Sequence, residues 1–343
     1  MSKARRIFVI ADFKEITPKS IRPPRRHWVK GLIRLGHDVQ RFSYADIFAQ
    51  CAPWPNKRLA KKSTKEKVDK ILIDYIKNYQ PDIIFCLLMK DFDEATMLKM
   101  KEVARHAVFV GRDVDPTPEV LPDRLAVARH LDILISTGGG AFLKTYKKLG
   151  VPLSAFLPNP CDPDIHYRYE VTPDWHTDIM FAGKPGHGKH EDETDRVLLF
   201  DKLAQMKNAR IYGGGFPQAN GVDYFRAISG AKITLSINVV NDVSKYHSDR
   251  FTNSVACGTF TLAKRVPDTE LLYEDGKHVK YFDTVDAFFA LAEQYLNDEP
   301  AREKIALQGM QHLHDEFNCV KIANYFMQLV ESGSCDARWA EIV

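Results

Sequence analysis

The sequence predicts an α/β protein with two domains, each a parallel β-sheet covered by helices. The chain has 343 residues, which at about 150 residues per domain is enough for two. Strand patterns alternate with helix patterns along most of the chain, and β-then-α repeats favour parallel sheets. The alternation breaks at LPNPCDPD (residues 157–164), where three prolines fall within eight residues. We therefore expect two Rossmann-like halves joined by a proline-rich hinge.

The elements of the first half follow from short apolar runs and from helical spacing. The run IFVIA is typical of a buried strand, and the apolar residues of 65–79 recur at the spacing of one helix face. Predicted strands cover residues 7–11, 39–44, 83–88, 107–110 and 133–136. Predicted helices cover residues 28–35, 65–79 and 94–106, and a fourth helix follows Gly140 and ends at Gly150.

After the break, the same alternation starts again. Predicted strands cover residues 178–182, 209–212, 232–237 and 259–263. Predicted helices cover residues 195–206, 224–229, 249–257, 285–296, 302–317 and 320–330. This pattern predicts an N-terminal domain at 1–160, a linker at 161–176, a second domain at 177–318, and a C-terminal helix and tail at 319–343 that packs back on the first domain. Because open parallel sheets bind ligands at the carboxyl ends of their strands, we expect the active site between the two halves.

Composition excludes several classes of protein. Hydrophobic residues make up 45% and charged residues 27% of the chain, which argues against disorder. The longest apolar run, IIFCLLM, is far shorter than the roughly 20 residues that a membrane-spanning helix needs. The N-terminus lacks the apolar stretch of a signal peptide, and the six cysteines form no CxxC pair. We therefore expect a cytoplasmic protein.

Positive charge is concentrated at the N-terminus. Residues 1–70 contain 18 Lys and Arg against 6 Asp and Glu, although the whole chain has a net charge of only +3. This segment predicts an anionic partner, which could be lipid headgroups, a phosphorylated acceptor or nucleic acid.

Three glycine-rich segments could hold phosphate. STGGGAF (136–142) is typical of a tight turn. GKPGHGKH (183–190) nearly matches the Walker A pattern, but His190 stands where Ser or Thr would hold magnesium. The cations Lys184 and Arg196 could still bind a diphosphate at this strand end. IYGGGFP (211–217) also ends a strand and would let a flat ring or a phosphate approach the backbone.

Two DxD triplets, at residues 91–93 and 113–115, are candidate metal sites. Neither has a third ligand at a readable spacing, so we expect no metal. Asp115 and Asp113 follow a predicted strand and are candidates for a general base, with His27 near the first helix as the rival.

The segment RFTNSVACGTFTLAKRVPDTELLYEDGKHVKYFDTVDAF (250–288) resembles the C-terminal signature of group 1 glycosyltransferases, particularly the CgeB-like, spore-maturation type. Further segments match in order, namely TDIMFAGK, ARIYGGG, AKITLSIN and NDEPAREKIALQGMQHLHDEF, with weaker similarity at WVKGLIRLGHDVQRF and YQPDIIFCL. The resemblance implies a GT-B fold, in which two Rossmann-like domains face each other across a cleft. It also implies that the C-terminal domain holds a nucleotide sugar, that the N-terminal domain holds the acceptor, and that no metal is needed.

Residue roles follow from this resemblance. Lys184 and Arg196 would bind the donor diphosphate, Tyr212 and Gly213 would lie near the nucleotide base, and Asn238 would belong to the loop on the phosphate side.

In the family, a helix that faces the ribose follows this loop. The sequence of the corresponding helix in this chain departs from the family pattern. Arg250 would lie at its entry, but Asn253 occupies the position of a glutamate that binds ribose hydroxyls. An amide can still donate to and accept from a diol, although it carries no charge. The earlier glutamate of the retaining pattern is also missing, because Lys245 and Tyr246 stand there. The sequence therefore does not decide whether the enzyme would retain or invert the configuration of the anomeric carbon.

The sequence as a whole predicts a metal-independent glycosyltransferase that moves a sugar from a nucleoside diphosphate sugar to a hydroxyl acceptor. The acceptor would be a lipid-linked glycan, a polysaccharide or another anionic molecule, met by the basic segment at the inner membrane face; sugar transfer to DNA is a minority alternative. The rival hypotheses are a nucleotide-sugar 2-epimerase of the same fold and a non-catalytic module that binds nucleotides or anionic surfaces. A P-loop kinase ranks third.

Overall fold

The computed structural model describes residues 3–13, 23–52, 61–87, 89, 93–116, 120, 122–186 and 192–343. The chain divides into two compact units. Unit 1 consists of Met1–Leu157 together with Cys319–Val343, and unit 2 is Pro158–Asn318.

Unit 1 is built on a six-stranded parallel sheet with the order β2-β1-β3-β4-β5-β6. Its strands are β1 (Arg6–Ala11), β2 (Asp38–Ser43), β3 (Ile83–Cys86), β4 (Val108–Asp113), β5 (Ile133–Ser136) and β6 (Leu153–Phe156). Its helices before the division are α1 (Pro23–Arg34), α2 (Tyr44–Cys51), α3 (Lys61–Tyr79), α4 (Glu94–Val103), α5 (Pro122–Ala128) and α6 (Ala141–Lys148). Strands β3 and β5 are buried at every residue and β1 at every residue after Arg6, which explains their continuous apolar runs.

Unit 2 is built on a five-stranded parallel sheet with the order β11-β10-β9-β7-β8. Its strands are β7 (Thr177–Ala182), β8 (Ala209–Tyr212), β9 (Ala231–Ser236), β10 (Phe260–Lys264) and β11 (Lys280–Phe282). Its helices are α7 (Asp192–Gln205), α8 (Val222–Ser229), α9 (Asp249–Ala256), α10 (Val285–Asn297) and α11 (Glu299–Glu316). One apolar cluster contains Phe181 and Leu199, and a second contains Met180 and Phe225. Since successive side chains of a strand point to opposite faces, the two clusters cover the two faces of this sheet.

The C-terminal segment returns to unit 1. Helix α12 (Cys319–Ser332) packs on α1 so closely that a Cβ on Gly31 would lie 2.1 Å from the Cys319 carbonyl oxygen. The tail then pairs with the edge strand β6, where Ser154 and Val343 exchange backbone hydrogen bonds of 3.0 and 2.8 Å. This pairing covers the backbone groups that an edge strand would otherwise expose.

Residues 161–176, which the sequence predicts as a linker, lie inside unit 2. Cys161 and His166 are fully buried, and the backbone N–H of Cys161 donates to the Phe317 carbonyl at 2.9 Å. The prolines break the helix and strand pattern here, but burial and hydrogen bonding fix the segment as part of the second unit.

Two further observations concern the chain as a whole. All six cysteines are free thiols. In the part of the chain that the structure describes, none of the helices has the length and apolar character needed to cross a membrane.

Candidate functional site

Two arginines meet at the carboxyl ends of β7 and β9 in unit 2. Arg196 lies in the second turn of α7; its Nε donates to the Lys184 carbonyl at 3.0 Å, and its Nη1 donates to the Ile237 carbonyl. Arg250 lies in the first turn of α9; its Nε donates to the Ala182 carbonyl at 2.5 Å, and its Nη1 donates to the same Ile237 carbonyl at 2.8 Å. These bonds orient both guanidinium groups through neutral oxygens, so they do not neutralise the positive charge.

The backbone between the two arginines is that of Gly183. A Cβ placed on Gly183 would lie 3.0 Å from Nη2 of Arg196 and 3.3 Å from Nη2 of Arg250. The ring of Phe181 supports both groups, because the guanidinium carbons lie 5.2 Å (Arg196) and 4.9 Å (Arg250) from its centroid. Glycine therefore allows the two cations to approach the strand end from both sides.

Burial lowers the pKa of the Arg250 guanidinium. An arginine side chain nevertheless stays protonated in proteins, so the group remains a cation. Among the described residues Arg250 forms no ion pair, and the acceptors of its hydrogen bonds are the two carbonyl oxygens. A partly buried cation without a counter-ion carries a desolvation cost, and an anionic ligand would offset that cost.

Tyr224, a residue that the sequence analysis missed, lies beside Arg250. Burial raises the pKa of Tyr224 to about 12, although the nearby Arg250 and the Asn253 side chain act to lower it, so the hydroxyl stays protonated at neutral pH. Asn253 is itself buried on α9. The sequence offered one signal, an aromatic pair that follows Asp223 in the first turn of a helix. The hydroxyl and the amide together offer uncharged donors and acceptors next to the arginine pair.

Asn238 holds the loop after β9 and offers a buried acceptor. Its Nδ2 donates to the Tyr246 carbonyl at 3.1 Å, and its backbone N–H donates to Oδ1 of Asn241 at 3.0 Å. Oδ1 of Asn238 is buried and has no hydrogen-bond partner among the described residues. Because Nδ2 is engaged, the amide orientation is fixed, and the remaining oxygen can accept a hydroxyl group from a ligand.

The third glycine-rich segment packs against the arginine site. The N–H of Gly183 donates to the Tyr212 carbonyl at 2.8 Å, and a Cβ on Gly213 would lie 3.2 Å from the Gly183 carbonyl oxygen. Gly213, Gly214 and Gly215 have φ values of +88°, +61° and +100°, a backbone that favours glycine. Tyr212 is half-buried, and Lys184 is exposed next to Gly183.

The structure thus brings together at one sheet edge the residues for which the resemblance implied donor binding. Chain adjacency, hydrogen bonds and ring contacts connect Lys184, Arg196, Tyr212, Gly213, Asn238, Arg250 and Asn253. The end of the Walker-like segment, residues 187–190, lies outside the described residues.

The candidate bases lie in unit 1. Asp113 ends β4 and is buried, with Oδ1 accepting from Nη1 of Arg124 at 2.7 Å and Oδ2 accepting from the Tyr146 hydroxyl at 2.6 Å. Burial raises the pKa of the Asp113 carboxyl. The same Arg124 nitrogen donates to the Asp115 carbonyl at 2.9 Å, and the Asp115 side chain is exposed. Asp113 therefore fixes the loop on which Asp115 is presented.

His27 lies on α1 and is only 1% exposed, so its ring is enclosed by protein. In the other DxD triplet, Asp91 lies outside the described residues. Asp93 is the N-cap of α4, and its side chain accepts from the Thr96 N–H at 3.0 Å. Among the described residues, no three His, Cys, Asp or Glu side chains are grouped as metal ligands.

Residues 196–328 match the sequence model of a family described as glycosyl transferase-like. The matched segment begins at Arg196 and includes Asn238, Arg250 and Asn253, as well as Tyr224. No curated protein matches the chain in sequence.

Solved structures of other proteins align with nearly all of the chain at low identity. Sucrose-phosphate synthase from Thermosynechococcus elongatus has a TM-score of 0.63 at 12% identity, over 95% of this chain and 98% of that chain. The Anabaena protein HepE in complex with UDP-glucose has a TM-score of 0.63 at 12% identity, over 96% and 100% of the two chains. A Listeria monocytogenes protein designated a UDP-N-acetylglucosamine 2-epimerase has a TM-score of 0.54 at 10% identity, over 96% and 97%. With its two parallel α/β units, the chain therefore has the GT-B fold, and residues 196–328 match a glycosyltransferase-like family.

Proposed function

We propose that the protein is a glycosyltransferase that moves a sugar from a nucleoside diphosphate sugar to a hydroxyl acceptor. The observation that carries the proposal is the pair of guanidinium groups of Arg196 and Arg250 at Gly183. HepE, which shares the fold, was solved with UDP-glucose, and this supports a nucleotide sugar as the donor.

The pair suits the leaving group of this reaction. The acceptor oxygen forms a bond to the anomeric carbon, while the bond from that carbon to the diphosphate oxygen breaks and its electron pair leaves with the diphosphate. Negative charge grows on the diphosphate as this bond breaks, and fixed cations beside it stabilise the transition state more than the ground state. We propose that the arginines, helped by Lys184, supply this charge and that the reaction needs no metal ion; activity would then persist in a chelator.

The neutral groups next to the pair suit the rest of the donor. In this proposal the Asn253 amide and the Tyr224 hydroxyl bind ribose hydroxyls, and the base lies against Tyr212 and Gly213. The free Oδ1 of Asn238 accepts a hydroxyl of the ribose or of the sugar. A donor that satisfied this acceptor would remove the cost of leaving it buried and unpaired.

The proton of the acceptor hydroxyl needs a base if the enzyme inverts. We propose Asp115 for this role because its carboxylate is exposed, whereas Arg124 and Tyr146 occupy both oxygens of Asp113. Asp113 is then a positioning residue. His27 is the poorer candidate because its ring is enclosed.

The proposal for the acceptor is based on the positive charge of the N-terminal segment. The basic N-terminal segment suits a lipid-linked glycan, a polysaccharide or another anionic acceptor, met in the cytoplasm at the inner face of the membrane. The CgeB-like subfamily remains part of this proposal, as does the minority alternative of DNA as the acceptor.

A nucleotide-sugar 2-epimerase is the second candidate, since the Listeria monocytogenes protein designated as one shares the fold. Such an enzyme would change the donor without an acceptor. A non-catalytic nucleotide-binding module, suggested by Asn253 in place of a glutamate, would bind the donor and leave it intact.

Thermal unfolding in the presence of nucleoside diphosphates, their sugars and ATP, with and without Mg²⁺, tests the donor site. At a ligand concentration of 100 Kd, binding stabilises the folded state by about 2.7 kcal/mol, which raises Tm by about 5 °C. We expect a metal-independent shift with one diphosphate and its sugar, abolished by Arg250→Gln and by Arg196→Gln. Arg226→Gln is the matched control, because Arg226 is exposed on α8 and its ion pair with Asp223 contributes little. A shift only with Mg²⁺ and ATP would instead support the P-loop kinase.

A further inference from the structure

A groove outside the donor site lies between α1 and the edge strand β2 of unit 1. It has a volume of about 510 Å³. Its lining consists of four cations and three aliphatic side chains: Arg26, Lys30, Arg34, Arg41, Val29, Ile33 and Val39.

The arrangement of the lining follows from helix and strand geometry. Arg26, Lys30 and Arg34 are four residues apart on α1, so they form one row along the helix. Val29 and Ile33 form the adjacent row. On β2, Val39 and Arg41 are two residues apart and therefore lie on the same face of the strand. The cations thus flank an aliphatic strip.

The aliphatic strip is partly open to solvent. Ile33, one of the three aliphatic residues of the lining, is 52% exposed. A row of cations beside exposed aliphatic side chains matches the boundary of a phospholipid bilayer, where phosphates lie above glycerol and acyl groups. The lining contains no aromatic side chain on which nucleic-acid bases could stack, which disfavours a single-stranded polynucleotide.

We infer that this groove binds the headgroups of an anionic phospholipid surface and thereby attaches unit 1 to a membrane. The inference gives the membrane contact of the proposed function a defined site, but it does not depend on the donor site or on catalysis. Each Lys or Arg close to an anionic membrane contributes about 1 kcal/mol, or about fivefold in affinity. Loss of three cations is therefore expected to weaken binding by about 100-fold.

The test is co-sedimentation of the full chain with vesicles, in the absence of any nucleotide. One set of vesicles contains phosphatidylcholine alone, and the other contains equal parts of phosphatidylcholine and phosphatidylglycerol. We expect binding to the anionic vesicles only. This binding should weaken as salt is added, because salt shortens the Debye length and screens the charges. The triple variant Arg26→Gln, Lys30→Gln, Arg34→Gln should lose binding to the anionic vesicles.

The matched control removes the same charge from another helix of unit 1. Lys67, Lys70 and Lys77 are exposed on α3 and do not line the groove, so their triple change to Gln should alter affinity by no more than about threefold. Ile33→Ser keeps every charge and should weaken binding at high salt, where the aliphatic contact dominates. All of these positions are exposed except Lys30, which is half-buried, and thermal unfolding checks that each variant is folded.

Several outcomes would overturn the inference. If the α1 and α3 triple variants lost vesicle affinity equally, the attraction between the protein and the membrane would be diffuse and would not depend on the groove. Absence of binding to the anionic vesicles would exclude the lipid surface. Binding of an oligonucleotide, lost in the groove variant while vesicles stay unbound by the wild type, would identify nucleic acid as the partner instead. Because no nucleotide is present, none of these results affects the donor site, and a failure of donor binding would leave this assay unchanged.

Discussion

Replacement of Gly183 by alanine should weaken binding of the nucleoside diphosphate without unfolding unit 2. The added methyl group would lie 3.0 Å from Nη2 of Arg196, 3.2 Å from Cζ of Phe181 and 3.3 Å from Nη2 of Arg250. All three distances are shorter than ordinary carbon contacts of about 3.5–4.0 Å. Because the crowded atoms belong to side chains, the two guanidinium groups have to move by a few tenths of an ångström, and the φ of +157° at Gly183 adds some backbone strain to the alanine variant.

The magnitude follows from the hydrogen bonds that this movement weakens. A hydrogen bond to a charged group contributes about 1.5–3 kcal/mol. If the shift removes about a quarter to a half of one such bond at each arginine, the loss is about 1.4 kcal/mol, which is tenfold in Kd. Overpacking costs about 1–3 kcal/mol of stability, so the variant should remain folded with a lower Tm.

Isothermal titration with the nucleoside diphosphate that gives the largest thermal shift measures this loss. Gly276→Ala is the matched control in the same unit: its φ of +71° strains any side chain, but no atom lies within 4 Å of the new Cβ. It should lower Tm by a comparable amount and leave Kd unchanged. Wild-type affinity in folded Gly183→Ala would refute the arginine pair as the diphosphate site.

Three further predictions test other parts of the structure. Asp115→Asn should lower kcat by about 10²–10⁴-fold with donor affinity unchanged in titration, and full activity would exclude it as the base. Gly31→Ala should destabilise unit 1 by about 3 kcal/mol or more in denaturant unfolding, because the new Cβ would lie 2.1 Å from the Cys319 carbonyl oxygen on α12; an unchanged unfolding free energy would contradict this packing. His247 is buried with Nδ1 donating to the Lys245 carbonyl at 3.1 Å, and burial lowers its pKa to about 4. Since the unfolded chain binds this proton below about pH 6.5, the free energy of unfolding should fall by about 3 kcal/mol in total as pH drops from 6.5 to 4; His247→Asn should flatten that slope, and an unchanged slope would refute the assignment.

Local pattern predicted most strands of the molecule, because buried parallel strands are continuous apolar runs. It failed where long-range contacts define the element. The fourth strand was predicted to end at Val110, yet β4 pairs with β5 as far as Asp113, where Arg112 lies over the Trp28 ring and Asp113 is bonded to Arg124 and Tyr146. These partners are distant in sequence and leave no periodic signal.

The donor-site residues could be proposed from the sequence only through the resemblance to a family. Spacing alone did not show that Arg196 and Arg250, 54 positions apart, share the Ile237 carbonyl. The role of Tyr224 likewise depends on its contact with Asn253, which only the folded chain brings about. The helices α2 and α5 and the strands β6 and β11 were missed because they are short, and β6 is completed by the distant tail.

Analysis of the products formed from a labelled nucleotide sugar tests the central claim most directly. The donor is the one chosen by the thermal shifts, and NMR follows its anomeric carbon with and without candidate hydroxyl acceptors. The account predicts release of the nucleoside diphosphate with the sugar joined to the acceptor, in the presence of a chelator, and loss of this reaction in Arg250→Gln but not in Arg226→Gln. An epimerised sugar still attached to its diphosphate, or a donor that is bound and never consumed, would contradict it.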